Sequence, residues 1–172
     1  MHWHKDYPTN PPWDMVAKEQ RSLVLALRGD QFCCLFMVGT QLEDWRSSRK
    51  GARSPQQAKA VLRAWFATYR PERIVLQHPR SMARKSSKKR AIVAALKRSA
   101  VSLGAKTTEV IRRQAHANIY EEAATLVQFY PQLKFLQPVK PPIWKVEPRN
   151  AIYFEALALA LQANRLLHDR RE

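Results

Sequence analysis

The chain has 172 residues and a mean hydropathy of −0.47, and its 30 Lys and Arg against 14 Asp and Glu give a formal net charge of +16 at pH 7. An apolar fraction of 45% suffices for a folded core and excludes a disordered basic tail, and no run of about 18 apolar residues predicts a membrane span. The two cysteines are adjacent and offer no loop-closing disulfide, and the first residues lack the apolar core of a signal peptide, so a cytoplasmic protein with no membrane partner is expected.

The first part of the chain predicts an arm followed by a meander of strands. Residues 1–20 contain three prolines and three Trp or Tyr residues, so we expect an extended arm, and residues 21–172 are expected to form a single domain. Apolar runs on either side of a Gly-Asp turn indicate antiparallel strands. Residues 46–53 are expected to form a basic loop. The strands themselves are predicted at residues 22–27, 32–38 and 42–45.

Helices and strands are predicted to alternate in the rest of the chain. Ser54-Pro55-Gln56-Gln57 combines an N-cap serine, a proline at the first helical position and a glutamine at the third, and Pro71 ends the helix that begins there. Residues 130–149 are rich in proline and are expected to be mostly irregular. Further strands are predicted at 73–77 and 107–111, and further helices at 87–103, 119–129 and 151–167. This order indicates an α/β protein in which helices pack on a mixed sheet.

One window concentrates the positive charge. Between Glu72 and Glu109 the chain runs for 36 residues with ten Lys and Arg and no Asp or Glu. Because such a field repels itself, it is usually kept for a polyanionic partner, and nucleic acid is the partner we expect. The alternative is a solvated helix face, the common fate of charged runs. The residues expected to contact phosphates are Arg80, Arg84, Lys85, Lys88, Lys89, Arg90, Lys97, Arg98, Arg112 and Arg113.

The order of elements, with an apolar helix last, resembles the RNase H-like fold, and four segments resemble the RuvC-type Holliday-junction resolvases within it. These segments are Leu42-Glu-Asp-Trp45, Arg70-Pro-Glu-Arg-Ile-Val-Leu-Gln-His-Pro79, Tyr130-Pro-Gln-Leu133, and Trp144-Lys-Val-Glu147 followed by Phe154-Glu-Ala-Leu-Ala-Leu-Ala-Leu161. The resemblance covers residues 22–167 and is to a divergent bacterial group. It implies a mixed sheet, built from a three-strand antiparallel meander plus parallel strands, with helices packed on it.

The resemblance also implies a metal site, from which this chain departs. In such resolvases, carboxylates hold two Mg²⁺ ions about 4 Å apart for phosphodiester hydrolysis. An Asp is implied on the first strand, a Glu at the end of the fourth, and one or two acids on the last helix. The three places hold here Ala26-Leu27-Arg28, Gln77, and Glu155 with Glu147 upstream. An arginine repels a divalent metal and attracts a phosphate, and Arg28 could pair with Glu155 across the implied metal site.

These departures favour a nucleic-acid-binding protein with a degenerate metal site and little or no hydrolysis, for which structured or double-stranded DNA is preferred over RNA. Whether the chain is an enzyme stays open. If Asp30 belongs to the first strand, then Asp30, Glu147 and Glu155 could form the catalytic site of a divergent endonuclease, with Asp30 and Glu155 as ligands of Mg²⁺ or Mn²⁺. A third alternative is a structural subunit of a nucleoprotein assembly.

Three further expectations concern single residues and the oligomeric state. Trp144 could stack on a base, but we expect it to pack under the proline-rich segment. His78 is expected to be a hydrogen-bonded structural residue instead of a metal ligand. The resolvases act as dimers, which leaves a homodimer open for this chain.

Overall fold

The computed structural model describes residues 20–113 and 116–169, with side chains to residue 165, so the predicted arm at 1–20 lies almost wholly outside the described residues. The strands are β1 (Arg21–Arg28), β2 (Gln31–Val38), β3 (Gln41–Ser48), β4 (Arg73–Gln77) and β5 (Lys106–Val110). The helices are α1 (Pro55–Tyr69), α2 (Ser87–Ser102), α3 (Ile119–Phe129) and α4 (Ala151–Asp169). Short 3-10 helices occupy Lys50–Ala52, Pro79–Met82 and Pro131–Leu136.

The five strands form one mixed sheet in the order β3-β2-β1-β4-β5. The first three strands pair antiparallel, whereas β4 is parallel to β1 and β5 is parallel to β4. Arg28 pairs with Gln31, so β1 and β2 are joined by a two-residue turn in which Gly29 has a φ of 58°. Such tight hairpins need a left-handed residue, which glycine adopts without strain. The predicted α/β class and the antiparallel meander are confirmed.

Two boundaries differ from the sequence-based expectation. β3 continues to Ser48, so the first three residues of the predicted basic loop belong to the sheet. The reason is that Ser48 pairs with Phe32 at the start of β2, and the whole length of β2 therefore has a partner. In the proline-rich segment, Pro131–Leu136 forms a 3-10 helix where irregular structure was expected.

The predicted helix caps are present. The side chain of Ser54 accepts a hydrogen bond from the backbone N–H of Gln57 at 3.2 Å, with Pro55 in the first helical position. In α3, the Asn118 side chain accepts from the N–H of Glu121 at 2.9 Å. Caps of this kind satisfy backbone donors that a helix leaves unpaired at its start. Because a cap is a local feature, these helix starts could be predicted from the sequence.

Helices cover both faces of the sheet. Because side chains alternate along a strand, Leu23, Leu25 and Leu27 of β1 face the core under α1 and α2. Val24 and Ala26 face the opposite core, which is built from α3 and α4. The alternation continues to Arg28, which is therefore directed to the α4 side.

The α4 helix is apolar around most of its circumference because it lies buried against the sheet and α3. Among the helices that the structure describes, none is long and apolar enough to cross a membrane. Glu155 is a charged residue within this otherwise apolar stretch.

Candidate functional site

The candidate site lies at one edge of the sheet. Since β1, β4 and β5 run in the same direction, their C-terminal ends meet at that edge, where ligands bind in many α/β proteins. Arg28 ends β1, Gln77 ends β4, and Arg112 follows β5 by two residues. The loop between β4 and α2 and the first half of α4 complete the edge.

Glu155 is the centre of a cluster of ion pairs at this edge. The residue is only 2% exposed, yet three cations reach its carboxylate. Lys85 Nζ lies 2.9 Å from Oε1, and Arg28 Nη1 donates to Oε2 at 3.2 Å. Arg112 Nε lies 3.8 Å from Oε1. The predicted pairing of Arg28 with Glu155 is present.

The cations keep Glu155 ionised despite its burial. Burial by itself raises the pKa of this carboxyl, but the fields of Lys85 and Arg28, a hydrogen bond from Lys85 and the field of Arg112 outweigh it. The net result is a pKa below the ordinary glutamate value. Glu155 is therefore a permanent anion at neutral pH, and it is neutralised by protein side chains.

The lowered pKa of Glu155 predicts an acid-dependent loss of stability. A carboxyl with a folded-state pKa below its unfolded value stabilises the fold above the unfolded pKa, and this contribution disappears as the pH falls through the folded pKa. We therefore expect the contribution of Glu155 to the melting temperature of the wild type to be lost below the ordinary glutamate value of about 4.3, as the pH falls toward the lower folded-state pKa. Thermal unfolding followed by circular dichroism measures this loss. The Glu155→Gln variant should show a shallower dependence, and equal slopes would contradict the prediction.

Glu122 is a second buried acid, and it forms an ion pair with Arg112. This buried glutamate of α3 accepts a hydrogen bond from Arg112 Nη2 at 2.6 Å. Sequence reasoning did not identify Glu122, although its position carried a signal. It lies at helical spacing with the apolar Ile119 and Leu126, and an acid on the inner face of a helix usually has a buried cation as partner.

Arg28 connects Glu155 to a second carboxylate, that of Glu147. Arg28 Nη2 donates to Glu147 Oε2 at 3.0 Å, and Arg28 Nε donates to Oε1 of the same side chain. Burial lowers the pKa of Arg28, but its bond to Glu147 and the charges of both glutamates raise the pKa above the ordinary arginine value. Arg28 is therefore fully charged and bridges the buried α4 helix to the partly exposed Glu147.

Gln77 and His78 have structural hydrogen bonds at the end of β4. The Gln77 amide donates to the Ser81 carbonyl at 2.9 Å and to its hydroxyl at 3.1 Å. His78 Nδ1 accepts from the N–H of Arg80 at 3.1 Å and caps the short 3-10 helix that follows. His78 Nε2 lies 3.4 Å from a carboxylate oxygen of Glu109. The expectation of a structural role for His78 is confirmed.

Asp30 lies in the turn after β1 and not in the strand. Its side chain is 65% exposed and pairs with Arg49 at 3.6 Å and Arg149 at 3.9 Å. The condition under which Asp30 would join Glu147 and Glu155 in a metal centre is therefore not met. Among the described side chains, in residues 20–113 and 116–165, no group of three His, Cys, Asp or Glu is placed to hold a metal ion.

The residues at this edge do not fit a pair of magnesium ions. Mg²⁺ requires about six oxygen ligands at 2.0–2.1 Å. Both oxygens of Glu155 are engaged by an ammonium or a guanidinium group, and these cations would repel a divalent ion. At the end of β4 the nitrogen of Gln77 is directed to Ser81. Side-chain cations thus occupy the positions around Glu155 that metal ions would need.

The residues predicted to contact phosphates divide into two groups. Lys85, Lys97 and Arg112 form ion pairs with acids from distant parts of the sequence. For the others, the described part of the chain contains no ion pair. These unpaired cations are Arg80, Arg84, Lys88, Lys89, Arg90, Arg98 and Arg113, and all except the half-buried Lys89 are exposed.

Five of the unpaired cations lie in the loop between β4 and α2 or in the first turn of α2, and Lys89 is the one that interacts with the charges of the Glu155 cluster. Lys89 lies close enough to Lys85 and Arg28 that burial and then their charges lower its pKa. Arg90 Nη1 donates to the carbonyl of Lys85 at 3.0 Å, and this bond holds the loop against the first turn of α2. The loop thus presents its cations beside the edge of the sheet.

The expectation for Trp144 is wrong, because its side chain is 83% exposed and does not pack under the proline-rich segment. A turn closed by a hydrogen bond from the N–H of Lys145 to the carbonyl of Pro142, at 2.9 Å, leads this segment away from the core. Other large apolar residues that the segment exposes are Phe135, Val139, Ile143 and Val146.

Comparison with solved structures finds similar folds. A structure of RuvC from Thermus thermophilus matches with a TM-score of 0.59 and 12% identity, covering 88% of this chain and 96% of RuvC. T. thermophilus RuvC in complex with Holliday junction substrate matches with a TM-score of 0.60, 13% identity and the same coverage. The yeast mitochondrial Holliday junction resolvase Ydc2 matches at 12% identity and a TM-score of 0.47, covering 92% of this chain and 86% of Ydc2. No protein-family model and no curated protein sequence matches the chain.

Proposed function

Since this chain has the RuvC-like, RNase H-like fold that the sequence resemblance implied, we propose that it is a nucleic-acid-binding protein with a degenerate metal site and little or no hydrolysis. The preferred partner is structured or double-stranded DNA over RNA. The structure of T. thermophilus RuvC with a Holliday junction substrate supports a branched DNA as the first substrate to examine.

One observation carries the proposal: three protein cations surround Glu155, where the family resemblance implies a metal ligand. A divalent ion would have to displace an ammonium and a guanidinium group that already neutralise this carboxylate. Removing such partners in a site of low exposure costs several kcal/mol. The cluster supports a site that faces phosphate groups without activating water.

The exposed cations supply the affinity in this proposal. Lysine and arginine side chains along a loop and helix bind the phosphate backbone, which positions the nucleic acid without specifying its sequence. Seven such cations lack an acid partner among the described residues, and five of them lie in the loop between β4 and α2 or in the first turn of α2, beside the sheet edge. Binding should consequently be similar for duplexes of different sequence.

The test is a paired assay of binding and cleavage. Wild-type protein is titrated against a four-way junction and a linear duplex, and both DNAs are then incubated with the protein in the presence of Mg²⁺ or Mn²⁺. We expect binding without cleavage. Metal-dependent cleavage that is lost in the Asp30→Asn variant would instead support the divergent endonuclease, because Asp30 is exposed and its amide analogue should fold normally.

Removing two exposed cations of the loop should weaken DNA binding about tenfold. In the Arg84→Gln/Lys88→Gln variant two phosphate contacts are lost, which should also reduce the salt dependence by about two ions. Fluorescence anisotropy with a labelled duplex measures both. Arg63→Gln/Lys134→Gln is a matched control, since it removes two exposed cations from other elements. Equal weakening in both variants would contradict a localised interface.

A second function, as a subunit of a nucleoprotein assembly, is favoured by the exposed apolar segment that includes Val139, Ile143, Trp144 and Val146. Apolar side chains of this size are usually covered by a partner when they cluster at a surface. A homodimer would also cover them. Sedimentation of the wild type and of Trp144→Ser, with and without DNA, distinguishes a self-associating protein from a monomer.

A further inference from the structure

We propose that Arg28 is a binding site for a single backbone phosphate and that Glu147 occupies this site until nucleic acid displaces it. The inference rests on the proposed function, which it deepens by naming a phosphate-binding residue outside the acid-free segment between Glu72 and Glu109. It also assigns to Glu147 a role as a competitor of the nucleic acid.

The geometry of the Arg28 guanidinium carries the inference. Nη1 donates to the buried Glu155, while Nε and Nη2 together donate to the two oxygens of Glu147. A guanidinium offers parallel N–H groups that match two oxygens of a carboxylate or two oxygens of a phosphate equally well. Glu147 therefore occupies the place in which a phosphate would be bound in the same bidentate manner.

Glu147 is also the carboxylate that can leave. Its side chain is 41% exposed, and it lies in the stretch between residues 136 and 151, which contains neither helix nor strand. Glu155, in contrast, is buried on α4 and held by Lys85 and Arg112 in addition to Arg28. Displacing Glu147 requires only that an exposed side chain turns toward water, and Arg28 keeps its orientation through Glu155.

The local charge favours the replacement of Glu147 by a phosphate at Arg28. Four cations, Arg28, Lys85, Lys89 and Arg112, face the three carboxylates of Glu122, Glu147 and Glu155. Once Glu147 has turned away, four cations face two carboxylates, so two positive charges are uncompensated. Lys89 has no ion-pair partner among the described residues; burial and the charges of Lys85 and Arg28 lower its pKa, and Glu155 and Glu147 partly offset them. A phosphate bound at Arg28 would therefore keep a negative charge near Lys89 after Glu147 has left.

The experiment compares the DNA affinity of wild type, Glu147→Gln and Glu72→Gln by fluorescence anisotropy on the same duplex. Glu147→Gln removes the competitor and should bind about five- to tenfold more tightly. Glu72 is a matched control: it is 48% exposed, pairs with one arginine, Arg21, at 3.3 Å, and lies before the start of β4, at the opposite edge of the sheet. Glu72→Gln makes the same change in net charge and should alter the affinity less than about twofold.

A double-mutant cycle with Arg28→Lys tests the site itself. Lysine keeps the positive charge beside Glu155 but loses the fork that holds two oxygens. In the Arg28→Lys background, Glu147→Gln should therefore change the affinity less than about twofold. Circular dichroism and the melting temperature show whether each variant is folded. If Arg28→Lys does not fold, the comparison of Glu147→Gln with Glu72→Gln decides whether Glu147 competes with the nucleic acid.

Two results would overturn this inference alone: equal affinities for Glu147→Gln and Glu72→Gln, or a gain from Glu147→Gln that persists with lysine at position 28. Failure of the proposed function has a different signature. In that case neither the wild type nor any variant binds DNA, and the inference falls with it.

Discussion

Raising the salt concentration from about 50 to about 200 mM should weaken DNA binding by this protein about a thousandfold or more. The reason is the release of counterions from the DNA by cations that bind its phosphates. Seven of the cations predicted to contact phosphates have no acid partner among the described residues: five lie in the loop between β4 and α2 or in the first turn of α2, Arg98 lies further along α2, and Arg113 follows β5. Six or seven contacts imply a slope of log affinity against log salt near −6. Anisotropy titrations at four or more salt concentrations give this slope directly.

A weak dependence on salt would contradict this interface. If the affinity changed less than about tenfold over the same range, the protein could engage no more than one or two phosphates. Binding would then depend on the exposed apolar segment around Trp144, and the structural-subunit alternative would gain support. The Trp144→Ser variant separates the two cases, because loss of this side chain should leave the salt slope unchanged if phosphates dominate.

Replacing Glu155 by glutamine should lower the free energy of unfolding by about 3 kcal/mol. Glutamine has nearly the shape of glutamate, but it leaves Lys85, Arg28 and Arg112 with one buried carboxylate fewer. Arg28 and Arg112 keep Glu147 and Glu122 as partners, which places the effect at the lower end of the range for broken buried pairs. In a domain of this size the melting temperature should fall by about 6–12 °C.

Chemical denaturation at neutral pH measures this change, and Glu72→Gln again provides the comparison. The exposed pair of Glu72 with Arg21 should contribute less than about 1 kcal/mol. A Glu155→Gln variant as stable as the wild type would show that the cluster does not support the fold. Gain of stability on addition of Mg²⁺ to the wild type would contradict the anion-binding character of the site.

Much of the fold could be predicted from local patterns in the sequence. The strands were found because apolar runs bounded by Gly-Asp or Pro residues have few alternatives to a buried strand. The helix starts at Pro55 and Ile119 were found because Ser54 and Asn118 are caps, and a cap acts through hydrogen bonds within one turn. The end of β3 was missed because it is decided by pairing with β2, which is not a local property.

The candidate site was only partly predictable. The departures at Arg28 and Gln77 could be recognised from the sequence because the resemblance implies acids at defined positions on two strands. The pairing of Arg28 with Glu155 could be predicted from their opposite charges. The partners of Lys85, Lys97 and Arg112 were not visible. Their acids lie 70, 12 and 10 positions away in the chain, and no pattern within one element links them.

What the sequence by itself determined is therefore the α/β order of elements, the concentration of positive charge and the presence of Arg28 and Gln77, not acids, at two strand ends, since each depends on residue type and on neighbours along the chain. Only the tertiary structure decided which cations remain available to a ligand. Packing of α3 and α4 on the sheet brings Glu122 and Glu155 to Arg112 and Lys85 and neutralises these cations, whereas the exposed cations of the loop receive no acid from the part of the chain that the structure describes. The physical reason is that electrostatic compensation depends on distance in space, which is settled only when the helices dock.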